Sequence, residues 1–277
     1  MKELNNIYLE DCITFMKQIE AESVDLIIAD PPYNLKKNFG NKSDLWKDVK
    51  SWLNWSKQWI DECTRILKPT GSIFIYGIHH YLCYIQCYLY EKNLKYRRQI
   101  IWYYENGFSG YKTLNAFYEP ILWFSKTDTY TYHEIREPYK SQKRLKNKIT
   151  KNGKEWKPNP KGRLSGDVWC FPTLAGNRFA HEKTDHPTQK PLALCDRLIR
   201  HFSNEGDLVF IPFAGSGSEC LSCLANNRNF LATEINPEYI QIANERFIKN
   251  QQQLQYKREF VFKDYHLTNE KLPSSIQ

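Results

Sequence analysis

Short apolar runs alternate with stretches of helical periodicity along this 277-residue chain. Apolar and β-branched residues predict buried strands at 7–9, 24–29, 72–76, 99–103, 208–211 and 231–233. Apolar residues at intervals of three and four predict helices between them, the clearest at 49–67 with Trp52, Trp55, Trp59, Ile60 and Cys63 on one buried face. Strands that alternate with helices predict an α/β fold, with an open, mostly parallel sheet and helices on both faces.

Prolines, glycines and polar clusters mark where these elements end. Pro69-Thr70-Gly71 predicts a turn before the strand at 72–76, and polar residues 36–43 predict a loop. The tryptophans at 49–67 fit a buried helix face, and we interpret them as core residues rather than as a binding stripe. Beyond residue 250, a short edge strand at 260–262 and a frayed polar tail are predicted.

The stretch around which the chain is organised is Asp30-Pro31-Pro32-Tyr33, directly after the strand at 24–29. Proline fixes φ and lacks the N–H that a sheet needs, so the strand stops and these residues lie at its carboxyl end, where open α/β sheets bind ligands. Asp30 and the carbonyl of Pro31 supply two acceptors for the exocyclic amine of a nucleobase. Tyr33 supplies an aromatic face for a base flipped out of a duplex. The alternative is a rigid turn without chemistry.

A second landmark is Phe213-Ala214-Gly215-Ser216-Gly217, which follows the strand at 208–211. Glycines between a strand and a helix let the backbone approach a ligand closely, and the helix N-terminus favours a carboxylate or phosphate. Glu234 follows at about the 20-residue interval at which an acid meets a ribose in nucleoside-binding units. Cys220 replaces the third glycine of the dinucleotide fingerprint, which disfavours NAD and favours a smaller ligand such as a methyl-sulfonium nucleoside.

Together these motifs resemble the β class of S-adenosylmethionine-dependent DNA amino-methyltransferases, in which the catalytic motif precedes the glycine loop and a target-recognition segment lies between them. The resemblance implies a Rossmann-like methyltransferase fold in permuted motif order, with S-adenosyl-L-methionine as the cofactor. It assigns the catalytic motif to Asp30, Pro31, Pro32 and Tyr33. It assigns cofactor binding to Asp30, Phe213, Ala214, Gly215, Ser216, Gly217 and Glu234.

Further stretches extend this resemblance to about residue 250. Asp11 and Cys12 resemble the segment that contacts the cofactor's adenine, although Asp11 alone could equally be a helix cap. Residues 186–191, which include Lys190, resemble the segment beside the methionine end of the cofactor, and residues 118–126 match another family segment. One departure is Ile211, which stands where the family usually carries an acid, and it bears on how tightly the cofactor binds.

The resemblance implies direct transfer of a methyl group to N6 of an adenine flipped out of duplex DNA, with no covalent intermediate and no metal. Asp-Pro-Pro-Tyr is the family's usual form for adenine, whereas serine in the first place is commoner for cytosine N4. A cytosine-N4 methyltransferase and a non-catalytic DNA-binding relative are the alternatives.

The charge of the chain points to a polyanionic partner, because its formal net charge is +8. Residues 140–163 are rich in lysine and arginine, opposed only by Glu155, and lack apolar periodicity. We expect this segment to bind double-stranded DNA, and Asn152 and Arg178 are further candidates for reading bases. The loop at 105–112 is a candidate DNA clamp, with a plain surface loop as the alternative. The predicted DNA-binding residues are Lys140, Lys143, Arg144, Lys154, Asn159, Lys161 and Arg163.

Residues 152–169 resemble the corresponding stretch of MboII-type adenine methyltransferases, which implies an asymmetric GAAGA-like site. We expect a catalytic domain at 1–126 and 182–250, an inserted recognition segment at 127–181 and an extension at 251–277. The eight cysteines show no paired metal pattern and are interpreted as reduced core residues. No signal peptide or apolar span occurs, so a cytoplasmic protein without a membrane partner is expected. A cognate restriction endonuclease and a homodimer are left open as partners.

Overall fold

The computed structural model describes residues 2–35, 45–78, 80–105, 112, 114–146 and 148–256, and only the backbone at 142, 144, 149, 151 and 251–256. In this part of the chain, strands and helices alternate as predicted. In chain order the elements are β1 (Asn6–Leu9), α1 (Cys12–Met16), β2 (Val24–Ala29), α2 (Val49–Ile66), β3 (Leu67–Tyr76), α3 (Leu82–Glu91), β4 (Lys95–Tyr103), β5 (Tyr118–Ser125), β6 (Arg136–Glu137), β7 (Ile149–Lys151), β8 (Lys154–Trp156), β9 (Arg163–Leu164), β10 (Val168–Cys170), α4 (Leu192–Phe202), β11 (Leu208–Ile211), α5 (Ser218–Ala225), β12 (Asn229–Glu234) and α6 (Pro237–Tyr256).

The central sheet has the strand order β1-β12-β11-β2-β3-β5-β4-β10. Its pairs are parallel except where β5 runs antiparallel to β3 and β4. β2 lies next to β11 although the two strands are far apart in the chain, with Leu26 opposite Val209 and Ile27 opposite Phe210. The carboxyl ends of β2, β11 and β12 therefore meet at one edge of the sheet, which confirms the expected mostly parallel α/β fold.

The sheet separates two apolar cores because successive strand residues point to opposite faces. Leu26 and Ile28 of β2 enter one core together with Phe202 of α4. Ile27 enters the other core, which contains Trp59 of α2. Both faces of the central strands are thus covered by helices, which explains why β2 reads as a nearly continuous apolar run.

Helix α2 begins at the N-cap Asp48, whose side chain accepts a hydrogen bond of 2.7 Å from the backbone nitrogen of Ser51. Trp52 and Trp59 are buried as predicted. Trp55 differs, because it is only partly buried and lines a cavity. The helical repeat correctly places these three tryptophans on one face, but Trp55 is the one that borders the cavity.

The predicted turn at Pro69-Thr70-Gly71 is wrong, because these residues lie within β3. Along β2 the pairing moves from Val24 to Leu26 while along β3 it moves from Leu67 to Ser72. The proline and glycine therefore occupy a bulge, which inserts extra residues on one strand without ending it. The prediction that all cysteines are core residues is also wrong, since Cys83, Cys87 and Cys170 are exposed.

Two small sheets, β6 with β9 and β7 with β8, lie within the predicted recognition segment, whose strand β10 joins the central sheet beside β4. Glu137 in β6 anchors this region. Its carboxylate accepts hydrogen bonds from Arg163 at 2.7 Å, from Ser165 at 2.8 Å and from Arg197 of α4 at 3.1 Å. A Cβ atom at Gly162 would lie 2.2 Å from the carbonyl oxygen of Glu137, so the two backbones approach closely there. The segment is thus tied to helix α4.

No helix in the described ranges combines the length and the apolar character needed to cross a membrane. The predicted loop at 36–43 and most of the clamp at 105–112 lie outside the described residues, as does the edge strand at 260–262.

Candidate active site

A cavity of about 870 Å³ opens where the carboxyl ends of β2, β11 and β12 meet. Among the predicted catalytic and cofactor residues, all line this cavity except Cys12 and Gly217. The sheet therefore brings together side chains from both ends of the sequence. The lining also includes residues that were not predicted as catalytic or cofactor residues, among them Trp46, Trp55, Trp102, Tyr104, Glu119, His186, Glu219 and Ile235.

Both carboxylate oxygens of Asp30 have partners. The hydroxyl of Tyr33 donates a hydrogen bond to Oδ1, and Nζ of Lys190 lies 2.9 Å from Oδ2. Burial raises the pKa of the Tyr33 phenol, and the neighbouring charge of Asp30 raises it further. Tyr33 therefore stays protonated and remains a hydrogen-bond donor near neutral pH.

The turn that carries Asp30 is rigid for reasons visible in its backbone. Pro31 is buried, and the carbonyl oxygen of Pro32 accepts a hydrogen bond of 2.8 Å from the indole nitrogen of Trp52. Asn34, next in the chain, has a φ of 57° and accepts a hydrogen bond from the backbone nitrogen of Trp46. The left-handed conformation at Asn34 turns the chain sharply away from β2.

Lys190 is 4% exposed and lies between two carboxylates, since Nζ is 3.4 Å from Oε2 of Glu119 as well as close to Asp30. Burial alone would lower the pKa of Lys190, but Asp30 and Glu119 together outweigh burial and raise it. The side chain is therefore a permanent cation in the floor of the cavity. The expectation that it binds the cofactor stays a prediction.

The glycine loop follows β11 and leads into α5. Gly215 and Gly217 have φ of 50° and 74°, values that glycine adopts without strain. A Cβ atom at Gly215 would lie 2.9 Å from Nε2 of His186, so a larger residue would push the histidine from the cavity wall. Burial lowers the pKa of His186 to about 4, so its imidazole ring is uncharged near neutral pH. Ile211 is buried in the core at the end of β11, where its side chain is 1% exposed.

Glu234 at the end of β12 is held by three backbone amides. Oε2 accepts a hydrogen bond of 2.9 Å from Gly215, and Oε1 accepts bonds of 2.9 Å from Ile235 and Asn236. Burial raises the pKa of this carboxyl, and the hydrogen bonds oppose the rise. These three bonds use three of the about four acceptor sites of a carboxylate, so Oε2, which accepts only one of them, can still accept a hydrogen bond from a ribose hydroxyl.

Asp11 and Cys12 have different surroundings. Asp11 is exposed at the cavity and caps α1, accepting hydrogen bonds from the backbone nitrogens of Ile13 at 3.1 Å and Thr14 at 3.0 Å. Cys12 is buried in the core beneath it, where burial raises the pKa of the thiol. Asp11 is thus a helix cap that also borders the cavity, and the cofactor contacts of both residues stay predictions.

Several cavity residues are not among the predicted catalytic and cofactor residues. Glu119 lies in β5, and its Oε2 has no hydrogen-bond partner within the described residues although Lys190 is near. Glu219 is buried in the first turn of α5, where burial raises the pKa of its carboxyl. Trp55 packs against Phe213 with ring centres 5.8 Å apart. A search for acids that follow parallel strands does not find these residues, because they lie within elements.

The predicted DNA-binding residues spread over the recognition segment. Lys140, Lys143, Lys154 and Lys161 are exposed. The side chains of Asn159 and Arg163 already have protein partners, since Oδ1 of Asn159 accepts a hydrogen bond of 2.8 Å from the backbone nitrogen of Lys161, and Arg163 pairs with Glu137. The side chain of Arg144 lies outside the described atoms. The lysines are thus free to approach phosphates, and DNA contact stays a prediction.

A family model described as DNA methylase (N6_N4_Mtase) matches residues 24–245. The chain belongs to this DNA methylase family. It is 37% identical over 261 residues to the Type II methyltransferase M1.MboII of Moraxella bovis, covering 91% of this chain and 98% of that protein. It is 36% identical over 251 residues to the DNA adenine methyltransferase YhdJ of Escherichia coli strain K12, covering 88% of this chain and 83% of that protein.

Solved structures agree with membership of the DNA methylase family. The M1.HpyAVI–SAM complex aligns with a TM-score of 0.56 and 26% identity, covering 87% of this chain and 98% of that chain. The cytosine-N4-specific PvuII DNA methyltransferase aligns with a TM-score of 0.66 over 89% of this chain and 87% of that chain, and at 16% identity this likeness shows the fold alone. The predictions of a Rossmann-like methyltransferase fold, of S-adenosyl-L-methionine as cofactor and of DNA as substrate are confirmed.

The cavity fits the cofactor that the DNA methylase family uses. The Glu234 carboxylate and the backbone of Gly215 border the same cavity, where the His186 ring packs closely against Gly215. Phe213 and Ile235 supply apolar surface to the same cavity. Asp30 lies in the same cavity, so the methyl donor and the target amine can meet next to it.

Proposed function

We propose that this DNA methyltransferase methylates N6 of an adenine flipped out of duplex DNA. The observation that carries the proposal is the position of Asp30, which ends β2 inside the cavity that also contains the glycine loop and Glu234. The aspartate form of this motif, and the likeness to a relative named as a DNA adenine methyltransferase, support adenine over cytosine. A flipped base is required because the target atom cannot be reached inside a duplex.

In the proposed mechanism, the residues of the turn make the amine nucleophilic. When bound, S-adenosylmethionine supplies an electrophilic methyl group on a sulfonium. Asp30 Oδ1 and the carbonyl oxygen of Pro31 accept hydrogen bonds from the two N–H groups of N6, which draws its lone pair out of conjugation with the ring. The nitrogen lone pair would form the new carbon–nitrogen bond as the carbon–sulfur bond breaks with its electrons on sulfur, and N6 would then lose one proton to water.

The Tyr33 side chain rearranges when this amine binds. In the structure the Tyr33 hydroxyl donates a hydrogen bond to Asp30 Oδ1, which is the acceptor proposed for the amine. In the proposal, this hydroxyl leaves Oδ1 as the Tyr33 ring moves against the face of the base, and the amine takes its place. Trp102 and Tyr104 line the same side of the cavity as Glu119 and leave an aromatic wall for the base.

We also propose that the lysines of residues 140–163 hold DNA phosphates and that the segment sets the recognition sequence. Exposure of Lys140, Lys143, Lys154 and Lys161 supports this, because phosphate contacts need cations that are free to move. A GAAGA-like site is the specific proposal. Relatives named as Type II methyltransferases support a partner endonuclease that cuts the unmethylated site, and a homodimer stays a prediction that light scattering can test.

The deciding experiment is sequencing of modified bases in DNA from cells that express the protein. N6-methyladenine on one strand of one short sequence is the expected result, and cells that express Asp30→Ala should lack it. N4-methylcytosine would replace the proposed target with the alternative one. Absence of any modified base, with folded protein that still binds DNA, would favour the non-catalytic alternative.

A further inference from the structure

Lys190 connects the start of α4 with three other elements, at a point beneath the proposed catalytic carboxylate. It directly precedes Pro191, the N-cap of α4, and its carbonyl oxygen accepts a hydrogen bond of 2.8 Å from the hydroxyl of Ser218 at the start of α5. Its ammonium reaches Asp30 after β2 and Glu119 in β5. Backbone and side chain of the same lysine are therefore both fixed.

The surroundings of this ammonium are apolar apart from the carboxylates. Nζ lies 5.0 Å from the ring centre of Tyr76, 5.7 Å from that of Tyr33 and 5.8 Å from that of Trp102. Its distance to the Tyr33 hydroxyl is 3.5 Å. The side chain of Lys190 is 4% exposed, whereas those of Asp30 and Glu119 are 19% and 25% exposed, so the ammonium cannot turn to water and is held by these two ion pairs.

The two oxygens of Asp30 are thereby made unequal. Oδ2 is bound to a buried cation that cannot leave, whereas Oδ1 is bound to a phenol that can swing away with its ring. Rotation of the carboxylate would break the ion pair, so Oδ1 is the oxygen that remains available to a substrate. Glu119 in turn holds Lys190 from the other side, and its Oε2 has no hydrogen bond among the described atoms that would compete.

We propose that Lys190 is a positioning residue that orients Asp30 toward the target amine, and that Glu119 holds Lys190 in place. This inference rests on the proposed function, because it requires Asp30 to accept a hydrogen bond from the amine. It differs from cofactor binding by Lys190, in which the ammonium would contact the bound cofactor and Asp30 would be a bystander. The distinction is measurable, since one role acts on the rate through Asp30 and the other acts on cofactor affinity.

The test is a double-mutant cycle between Lys190→Gln and Asp30→Asn, read by single-turnover methylation at saturating cofactor and DNA. Lys190→Gln should slow methyl transfer by about 10²-fold, comparable to the loss of one preorganised polar group. The dissociation constant of S-adenosylmethionine, measured by calorimetry, should change by less than about threefold. The double variant should be as slow as Asp30→Asn alone, since without the Asp30 carboxylate nothing remains for Lys190 to orient.

Two results would overturn the inference. The first is a double variant whose rate loss equals the product of the two single rate losses. The second is a cofactor dissociation constant that rises in Lys190→Gln by as much as the rate falls. A fast Asp30→Asn enzyme is a different failure, because it would contradict the proposed function itself. The cycle therefore separates an error about Lys190 from an error about Asp30.

Additional variants protect the test against misfolding and general charge effects. If Lys190→Gln does not fold, it can be combined with Glu119→Gln, which keeps the net charge of the cluster. This double variant should fold and should also transfer methyl groups about 10²-fold more slowly than the unmodified protein. A fast double variant would refute the role of Lys190. Lys68→Gln is the matched control, because Lys68 pairs with Asp25 at 2.7 Å on the same strand β2 but toward its amino end. Its single-turnover rate should equal that of the unmodified protein.

Discussion

The indole nitrogen of Trp52 donates a hydrogen bond of 2.8 Å to the carbonyl oxygen of Pro32, so a core helix holds the proposed catalytic turn from behind. Trp52 is 2% exposed, so the donor of this bond is held within the core. The position of Asp30 thus depends on packing within α2 as well as on the proline pair.

Trp52→Phe should reduce both stability and rate. Loss of the donor leaves the half-buried carbonyl of Pro32 without its protein partner, which should lower the free energy of unfolding by about 0.5 to 1.5 kcal/mol. The single-turnover rate should fall while cofactor affinity is retained. Trp59→Phe is the control, since Trp59 is also buried but its indole nitrogen has no hydrogen-bond partner among the described residues. Equal effects of the two substitutions on the rate would show that the hydrogen bond is unimportant.

The ring and the hydroxyl of Tyr33 should contribute unequally to methylation. Tyr33→Phe keeps the stacking face and frees Asp30 Oδ1, so the rate should stay close to normal. Tyr33→Ala should be strongly impaired, because stacking contributes on the order of 1 to 3 kcal/mol per base. A mismatch at the target adenine lowers the unstacking cost, and should partly rescue Tyr33→Ala but not Asp30→Ala. A crippled Tyr33→Phe enzyme, or equal rescue of both, would contradict this division.

Glu234→Ala should weaken cofactor binding. The substitution removes the proposed ribose ligand and leaves the backbone amides of Gly215, Ile235 and Asn236 without their acceptor. Loss of a charge-assisted contact should cost about 1.5 to 3 kcal/mol, measured as the cofactor dissociation constant by calorimetry. Glu238→Ala removes an exposed acid from the first turn of α6 and is the control. An unchanged constant in Glu234→Ala would refute the ribose assignment.

Neutralising Lys143, Lys154 and Lys161 together should weaken DNA binding on every sequence. Each lost phosphate contact should reduce the slope of log affinity against log salt by close to one unit. The matched variant neutralises Lys17, Lys50 and Lys95, which are exposed lysines outside the recognition segment. If both triple variants change the salt slope equally, the effect comes from net charge rather than from the segment.

His186 should make stability sensitive to mild acid. Burial lowers its pKa in the folded protein to about 4, whereas an unfolded histidine titrates near 6.5. Its contribution is fully present above pH 6.5 and is lost as pH falls toward 4, because the unfolded chain then binds the proton more tightly. The loss should approach about 3 kcal/mol. In denaturant titrations across this range, His186→Asn should therefore lose less stability than the unmodified protein, and parallel curves would contradict this.

The sequence predicts the elements of this site whose signal is local. The apolar run before Asp30 and the glycines after β11 each identify a strand end without help from distant residues. Adjacency of those two ends is not local, but it follows once the chain is assigned to a parallel α/β sheet. This explains why nearly all of the predicted cavity residues do line one cavity.

What the sequence could not reveal are contacts between elements far apart in the chain. Glu119 reaches Lys190 only because β5 runs antiparallel beside β3, and a glutamate at the start of an apolar strand looks like an ordinary edge residue. The bulge at Pro69-Thr70-Gly71 reads as a turn because local residue preferences cannot tell extra strand residues from a chain reversal. The pairing of β10 with β4 could not be predicted from the sequence either, since a three-residue strand has almost no periodicity.

The anchoring of Glu137 limits how this enzyme can be re-engineered. Because the predicted recognition segment is one continuous stretch of sequence, it could be expected to be exchangeable between methyltransferases. Here the Glu137 carboxylate binds Arg163 within the recognition segment and Arg197 in helix α4, outside it. A graft of residues 127–181 would replace Glu137 but not Arg197. A successful chimera therefore needs the donor's residue at position 197 as well as its recognition segment.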